Sequence, residues 1–217
     1  MNCMDHFDSI EDAIKDIASG KIVVVVDDED RENEGDLVMA ASFATPDCIN
    51  FMAQYGRGLI CAPLAVDVAQ RLDLPPMVEK NTDPIRTNFT VSVDVKEGTT
   101  TGISMFDRAK TLVALASDKA VADDFSRPGH VFPLIGREGG VLIRPGHTEA
   151  TIDLAVLAGL PPVGVLCEII KGDGEMARLP DLFEYAQYHG LKIITIKDLI
   201  SYRVQRAAKS KKFAVAS

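Results

Sequence analysis

Ile22-Val23-Val24-Val25-Val26, then Asp27-Asp28-Glu29-Asp30-Arg31-Glu32-Asn33-Glu34-Gly35-Asp36, then Leu37-Val38-Met39-Ala40-Ala41 follow one another without a break: an apolar run, an acidic loop and a second apolar run. Five successive apolar β-branched residues predict a strand covered on both faces, because a half-exposed strand would alternate. The loop places seven carboxylates and one arginine in ten residues. Taken alone, a charge run is most often a solvated loop. This one leaves a buried strand directly, where ligand sites of α/β proteins gather. Its like charges also repel, and a hard divalent cation would relieve them; magnesium takes one or two carboxylates and keeps several waters. Gly35 is expected to let the backbone turn sharply.

Upstream of this stretch, Ser9 is placed to cap a helix with apolar positions Ile10, Ala13, Ile14 and Ile17, and Gly20 to end it. Downstream, Thr45-Pro46 predicts a helix start, with Ile49, Met52 and Tyr55 on the helix and Gly56 as its stop. Leu59 to Leu64 reads as a short strand, and Pro75-Pro76 breaks the chain. Phe89 to Val95 alternates Phe and Val with Thr, Ser and Asp, which predicts a half-buried strand. Further strands are expected over 131–135, 141–143, 163–170 and 191–196, and helices over 107–117, 148–158, 181–189 and from Asp198 onward. Strands and helices mix along the whole length. That pattern predicts an α/β (α+β type) fold, a single domain over 1–206 with a mixed central sheet flanked by helices. Residues 207–217 are basic and without a clear period, and are expected to form a flexible tail.

Composition narrows the function classes. The 217 residues are 47% hydrophobic and 25% charged, as in an ordinary globular protein. A net charge of −9 argues against a nucleic-acid partner and against an anionic membrane surface. A small anionic substrate stays open, since a cationic pocket or a metal can invert the field locally. Cys3, Cys48, Cys61 and Cys167 form no C-x-x-C pair, and Cys61 and Cys167 sit in apolar runs as reduced cytoplasmic thiols do. The acidic N-terminal stretch, with Asp5 and Asp8, lacks the apolar region of a signal peptide, and no run is long enough to span a membrane.

Three further places carry chemistry. Arg144-Pro145-Gly146-His147-Thr148-Glu149 lies between a predicted strand and a predicted amphipathic helix. Gly146 to Thr148 then occupy a helix N-terminus, where free N–H groups and the dipole favour phosphate. Arg144 adds a forked cation and Thr148 a hydroxyl. The dipole also disfavours imidazolium, so His147 is expected to be neutral, as a metal ligand must be. The plainer reading is a capped helix with an incidental histidine. His130 lies in Arg127-Pro128-Gly129-His130, and R-P-G-H recurs at 144–147, each copy adjoining a predicted strand. A lone histidine there is more often structural than catalytic. Glu168 interrupts an apolar strand, which is costly unless it is paired or bound to a cation; sharing a face with Leu166 would enclose it and tune its acidity. At an edge it would simply face water. The Gly98–Ser104 loop offers hydroxyls, a weak signal, and Cys61 reads by default as a buried inert thiol.

These residues together resemble the 3,4-dihydroxy-2-butanone-4-phosphate synthase family of riboflavin biosynthesis, from about residue 8 to about residue 203. The markers are DDEDRENEGD at 27–36, TTGIS at 100–104, RPGHVFPL at 127–134, RPGHTEATIDL at 144–154 and GVLCEI at 164–169. The resemblance implies conversion of D-ribulose 5-phosphate to formate and L-3,4-dihydroxy-2-butanone 4-phosphate in the cytoplasm. It implies Mg2+ as cofactor, with Mn2+ as an alternative, held by Glu32 and His147. By matching position it implies substrate contacts at Arg31, Glu32, Asp36, Thr101, Arg144, Pro145, Gly146, His147, Thr148 and Glu168, and catalytic roles for His130 and Glu168. It implies a homodimer with sites near the subunit boundary. Some members continue into a GTP cyclohydrolase II domain, whereas this chain is expected to have one function. Asp27, Glu34, His130 and Glu168 all remain candidates for the proton transfers. Two rival readings are a metal-dependent phosphosugar isomerase or aldolase, which would release no formate, and a non-catalytic phosphometabolite sensor.

Overall fold

The computed structural model describes residues 6–215, with side chains described through 209; Cys3 and Asp5 lie outside the described residues. Ser9 caps α1 (Ile10–Ala18) by accepting the Asp12 N–H, as its sequence position predicts. The valine run forms β1 (Val23–Val26), buried throughout, and the second apolar run forms β2 (Gly35–Ala40). Thr45 caps α2 (Pro46–Phe51), which loosens into a π turn over Met52–Gly56. Arg57, not Gly56, takes the left-handed conformation that ends it, at φ 72°. Then come β3 (Cys61–Leu64), α3 (Val66–Arg71), β4 (Val93–Val95) and α4 (Met105–Ala116), the last capped by Ser104. The chain closes with β5 (Phe125–Ile135), α5 (His147–Leu157), β6 (Gly164–Glu168), α6 (Leu179–His189), β7 (Lys192–Thr195) and α7 (Ile196–Val215). α7 crosses residue 206, where the sequence predicts the domain to give way to a tail.

One seven-stranded sheet carries the fold in the order β4-β5-β3-β6-β2-β1-β7. It is mixed: β1 pairs antiparallel with β2 and parallel with β7, and β3 pairs parallel with β5 and antiparallel with β6. Side chains alternate between its two faces. Val24, Leu37, Met39, Val165 and Cys167 pack with α2, α4 and α6 in one core. Val23, Val25, Val38, Cys61 and Leu166 pack with α1, α5 and α7 in the other. The continuous apolar run of β1 is what serving both cores requires.

Several local expectations are overturned. Phe89 to Val95 is a strand only over its last three residues, and Thr90 and Asp94 are buried rather than solvent-facing. Residues 140–142 form a 3-10 turn, not a strand, so Arg144 follows a turn. His130 lies within β5 rather than before it. α5 is not amphipathic: His147 to Ala155 are all buried, because the sheet lies beneath the helix and α1 and α7 flank it above. Gly35 does not supply the sharp turn; Asn33 does, at φ 55°. Gly35 lies in β2, where a Cβ would stand 2.6 Å from the Leu182 side chain of α6.

Candidate active site

Asp27 ends β1 and organises the acidic loop from within. Its Oδ2 accepts from Arg31 Nη1 at 2.8 Å and from the Glu32 N–H at 3.2 Å, and its Oδ1 accepts from the Glu34 N–H at 2.9 Å. From the cap of α6, Arg178 donates to the carbonyl oxygens of Glu32 and Asn33. The loop is therefore tied down at both ends, with only some of its carboxylates free to solvent. Asp28, Glu29 and Asp30 are the exposed ones.

α5 aims its first turn at this loop. His147 is 5% exposed, and its Nε2 lies 3.0 Å from the Val25 carbonyl oxygen. An Nε2–H donated to that oxygen fixes the tautomer and leaves Nδ1 facing Glu32 Oε2 at 3.5 Å and Asp36 Oδ2 at 3.8 Å. Ligands from Asp27, Glu32 and His147 lie within 4.8 Å of one another. Asp36 and Glu168 are direct cross-strand partners. The buried Oδ1 of Asp36 has no hydrogen-bond partner among the described residues. A ring held by the Val25 carbonyl through its other nitrogen, clustered oxygen donors and an orphaned carboxylate oxygen fit a hard divalent cation. Asp27, expected from the sequence only as a candidate for proton transfer, joins Glu32 and His147 in that cluster.

The electrostatics reverse one expectation. Burial alone would lower the His147 pKa, but Asp36, Glu32 and Asp27 together raise it from 6.5 to about 9. Without a metal the imidazole is thus cationic near neutrality, since carboxylates within 4 Å outweigh a helix end. Burial works to raise Glu32, but His147 and Arg31 prevail and hold it at about 2. Burial pushes Asp36 up to about 7, with the neighbouring carboxylates adding to the effect and His147 opposing it. Burial also pushes the Cys61 thiol well up, as expected of an inert cysteine.

A cavity of about 140 Å³ opens over this cluster, lined by Arg31, Glu32, Glu34, Asp36, Arg144, His147, Thr148 and Glu168, with Cys61, Thr87, Phe89 and Leu134 along its wall. It is much smaller than drug-sized pockets of roughly 300–1,000 Å³ and suits a small metabolite. Leu166 and Glu168 share the face on which the cavity lies, and Glu168 Oε2 accepts the Leu59 N–H at 2.8 Å. At the mouth, Arg144 Nη1 binds Glu149 Oε2 at 2.7 Å, and Glu149 Oε1 accepts the Arg137 N–H at 3.0 Å. A Cβ on Gly146 would stand 2.4 Å from Arg144 Nη1 and 2.9 Å from Arg31 Nη2. The glycine thereby lets two guanidinium groups converge on the α5 N-terminus, an anion cradle. Pro145 precedes it in the same turn. Two wider grooves, about 750 and 700 Å³, hold no histidine and no buried carboxylate.

His130 and Thr101 do not line this cavity. His130 instead pairs with Asp94, and Thr101 is exposed in the loop before α4. The sequence reading missed Asp94, Glu149 and Arg178. Glu149 was legible in principle, as an acidic residue in the first turn of the helix that follows Arg144, but Arg178 reaches the acidic loop, and Asp94 reaches His130, only by tertiary contact.

The sequence profile of the 3,4-dihydroxy-2-butanone 4-phosphate synthase family matches residues 11–202. The riboflavin biosynthesis protein RibBA of Aquifex aeolicus is 61% identical over 212 residues, covering 97% of this chain and 52% of the relative. RibBA of Bacillus subtilis is 59% identical over 197 residues, covering 91% of this chain and 49% of its own. The chain thus spans about half the length of these curated relatives. A crystal structure of 3,4-dihydroxy-2-butanone 4-phosphate synthase in complex with two magnesium ions superposes with a TM-score of 0.89 at 44% identity, covering 92% of this chain and 98% of that one. The mixed sheet and single domain expected from the sequence agree with that architecture. Among the described residues, no helix is long and apolar enough to cross a membrane.

Proposed function

Because the chain belongs to the 3,4-dihydroxy-2-butanone 4-phosphate synthase family, we propose that it converts D-ribulose 5-phosphate to L-3,4-dihydroxy-2-butanone 4-phosphate and formate in riboflavin biosynthesis. The observation that carries this reading is the junction of two unlike sites in one small cavity. A carboxylate–histidine cluster suited to a cation meets a two-arginine anion cradle at the N-terminus of α5.

In this reading the substrate phosphate rests on Arg144, Gly146 and Thr148, with Arg31 beside them. Glu149 holds the Arg144 fork in place. Glu32 and His147, with Asp27 as a third donor, hold Mg2+, or Mn2+ in its stead. When bound, the cation supplies Lewis acidity and stabilises negative charge developing on the substrate oxygens. Glu168 and Asp36, side by side across β6 and β2, face the carbon chain and move protons to and from it. Cys61, Phe89 and Leu134 form an apolar wall that limits water around the reacting carbons.

His130 and Thr101 enter this scheme from a second copy of the chain. One chain leaves both outside its cavity, which agrees with a homodimer whose sites lie near the subunit boundary. The cytoplasm is the compartment that suits the free thiols of Cys48, Cys61 and Cys167. Formate release from ribulose 5-phosphate tests the whole reading. Mg2+-dependent formate, lost on EDTA treatment, is expected; a folded, Mg2+-loaded protein that releases none would overturn it.

A further inference from the structure

We propose that Asp94 is the positioning residue of His130: its carboxylate fixes the neutral imidazole as the Nδ1–H tautomer and leaves Nε2 as the atom that accepts a proton. This rests on the reading of His130 as essential to turnover. Asp94 grips the same residue twice. Its Oδ2 lies 2.7 Å from His130 Nδ1, and its Oδ1 accepts the His130 backbone N–H at 2.8 Å. The Asp94 side chain is 13% exposed and that of His130 42%, so the clamp is sheltered while the ring reaches outward. Nε2 has no partner among the described residues.

An incidental surface ion pair would not need the backbone arranged around it, and here the backbone is arranged. The register of β4 against β5 shifts between Val93 and Asp94, pairing Asp94 with Ser126 while its side chain turns to His130. Gly129 makes the close crossing feasible: a Cβ there would stand 2.0 Å from the Val93 carbonyl carbon. Gly102 closes the other side, where a Cβ would stand 2.0 Å from Asp94 Oδ2 and 2.6 Å from His130 Nδ1. The Gly102 N–H is in turn held by Asp107 Oδ2 at 3.1 Å, and Thr100 by the same oxygen through its hydroxyl at 2.7 Å. The Thr100–Ser104 loop is therefore anchored against the Asp94–His130 pair. A carboxylate that selects a histidine tautomer in this manner acts through orientation and not through taking the proton itself.

Ring-nitrogen NMR of histidine-labelled, Mg2+-loaded full-length protein reads the tautomer directly, with His130→Gln identifying the signal. The expected spectrum has a protonated Nδ1 and an unprotonated Nε2 in the neutral ring, and Asp94→Asn shifts the population toward Nε2–H. The same variant is expected to lose roughly tenfold or more in kcat with KM changed by less than about threefold, because orientation rather than binding is lost. An Nε2–H ring in the unaltered protein, or a ring unmoved by Asp94→Asn, would overturn the assignment. Normal turnover by His130→Ala would instead sink the role given to His130, and the spectrum would still judge the Asp94 clamp.

Discussion

The Nε2 atom of His147 lies 3.0 Å from the Val25 carbonyl oxygen, joining the first turn of α5 to the end of β1 across 122 residues. That bond directs Nδ1 at Glu32 and Asp36. It explains why a histidine at a helix N-terminus joins a cluster of carboxylates here instead of only facing the helix end.

Removing either ligand should therefore abolish metal-dependent turnover. Glu32→Ala and His147→Ala are each expected to bring formate release to background and to eliminate Mg2+ binding in a calorimetric titration, with circular dichroism unchanged. Ordinary activity in either variant would refute the metal assignment.

The raised His147 pKa has a definite sign. Folding lifts it from 6.5 to about 9, so its protonated form stabilises the metal-free protein fully below about pH 6.5. That contribution is lost as pH rises through 9. Mg2+ needs the neutral ring and must release the proton to bind. The rise in Tm caused by Mg2+ should consequently grow between pH 6.5 and 9. A Tm increment that is flat across that window would contradict this linkage.

Placing His130 and Glu168 in one site from different chains predicts complementation. His130→Ala and Glu168→Ala homodimers should both be inactive. Co-expressed and purified as heterodimers, they should recover part of the wild-type rate, since one of the two sites regains both groups. No recovery in a verified heterodimer would mean that each site is built from a single chain.

Gly146→Ala puts a methyl group 2.4 Å from Arg144 Nη1 and 2.9 Å from Arg31 Nη2. Those flexible ends can move away, so the fold should survive while the cradle opens. KM for ribulose 5-phosphate is expected to rise at least roughly tenfold, the loss of about one charge-assisted hydrogen bond of roughly 1.5–3 kcal/mol. An unchanged KM would move the phosphate elsewhere.

Local physics made several parts of this protein legible in one dimension. The β-branched run had to be a strand buried on both faces, and Ser9 and Thr45 had to cap helices, because those preferences act over a few residues. The acidic loop and the Arg144–Thr148 segment announced a cation and an anion through charge repulsion and a helix dipole, again within one turn of chain. Long-range pairing decided the rest. The parallel pairing of β1 with β7 and the place of β5 beside β3 are matters of register between distant strands. α5 became buried around its whole circumference from His147 to Ala155 only because α1 and α7 close over it, which no periodicity within α5 encodes. In the metal-free protein the pKa of His147 is raised because folding brought three carboxylates to a helix end that by itself favours the neutral ring. Asp94 met His130 only because β4 pairs with β5, two strands whose residues lie 36 apart in the chain. By itself the sequence determined the chemistry available and the local shapes that carry it. The tertiary structure decided which charges share a low-dielectric space, and there the balance between burial and neighbouring charge sets what each group can do.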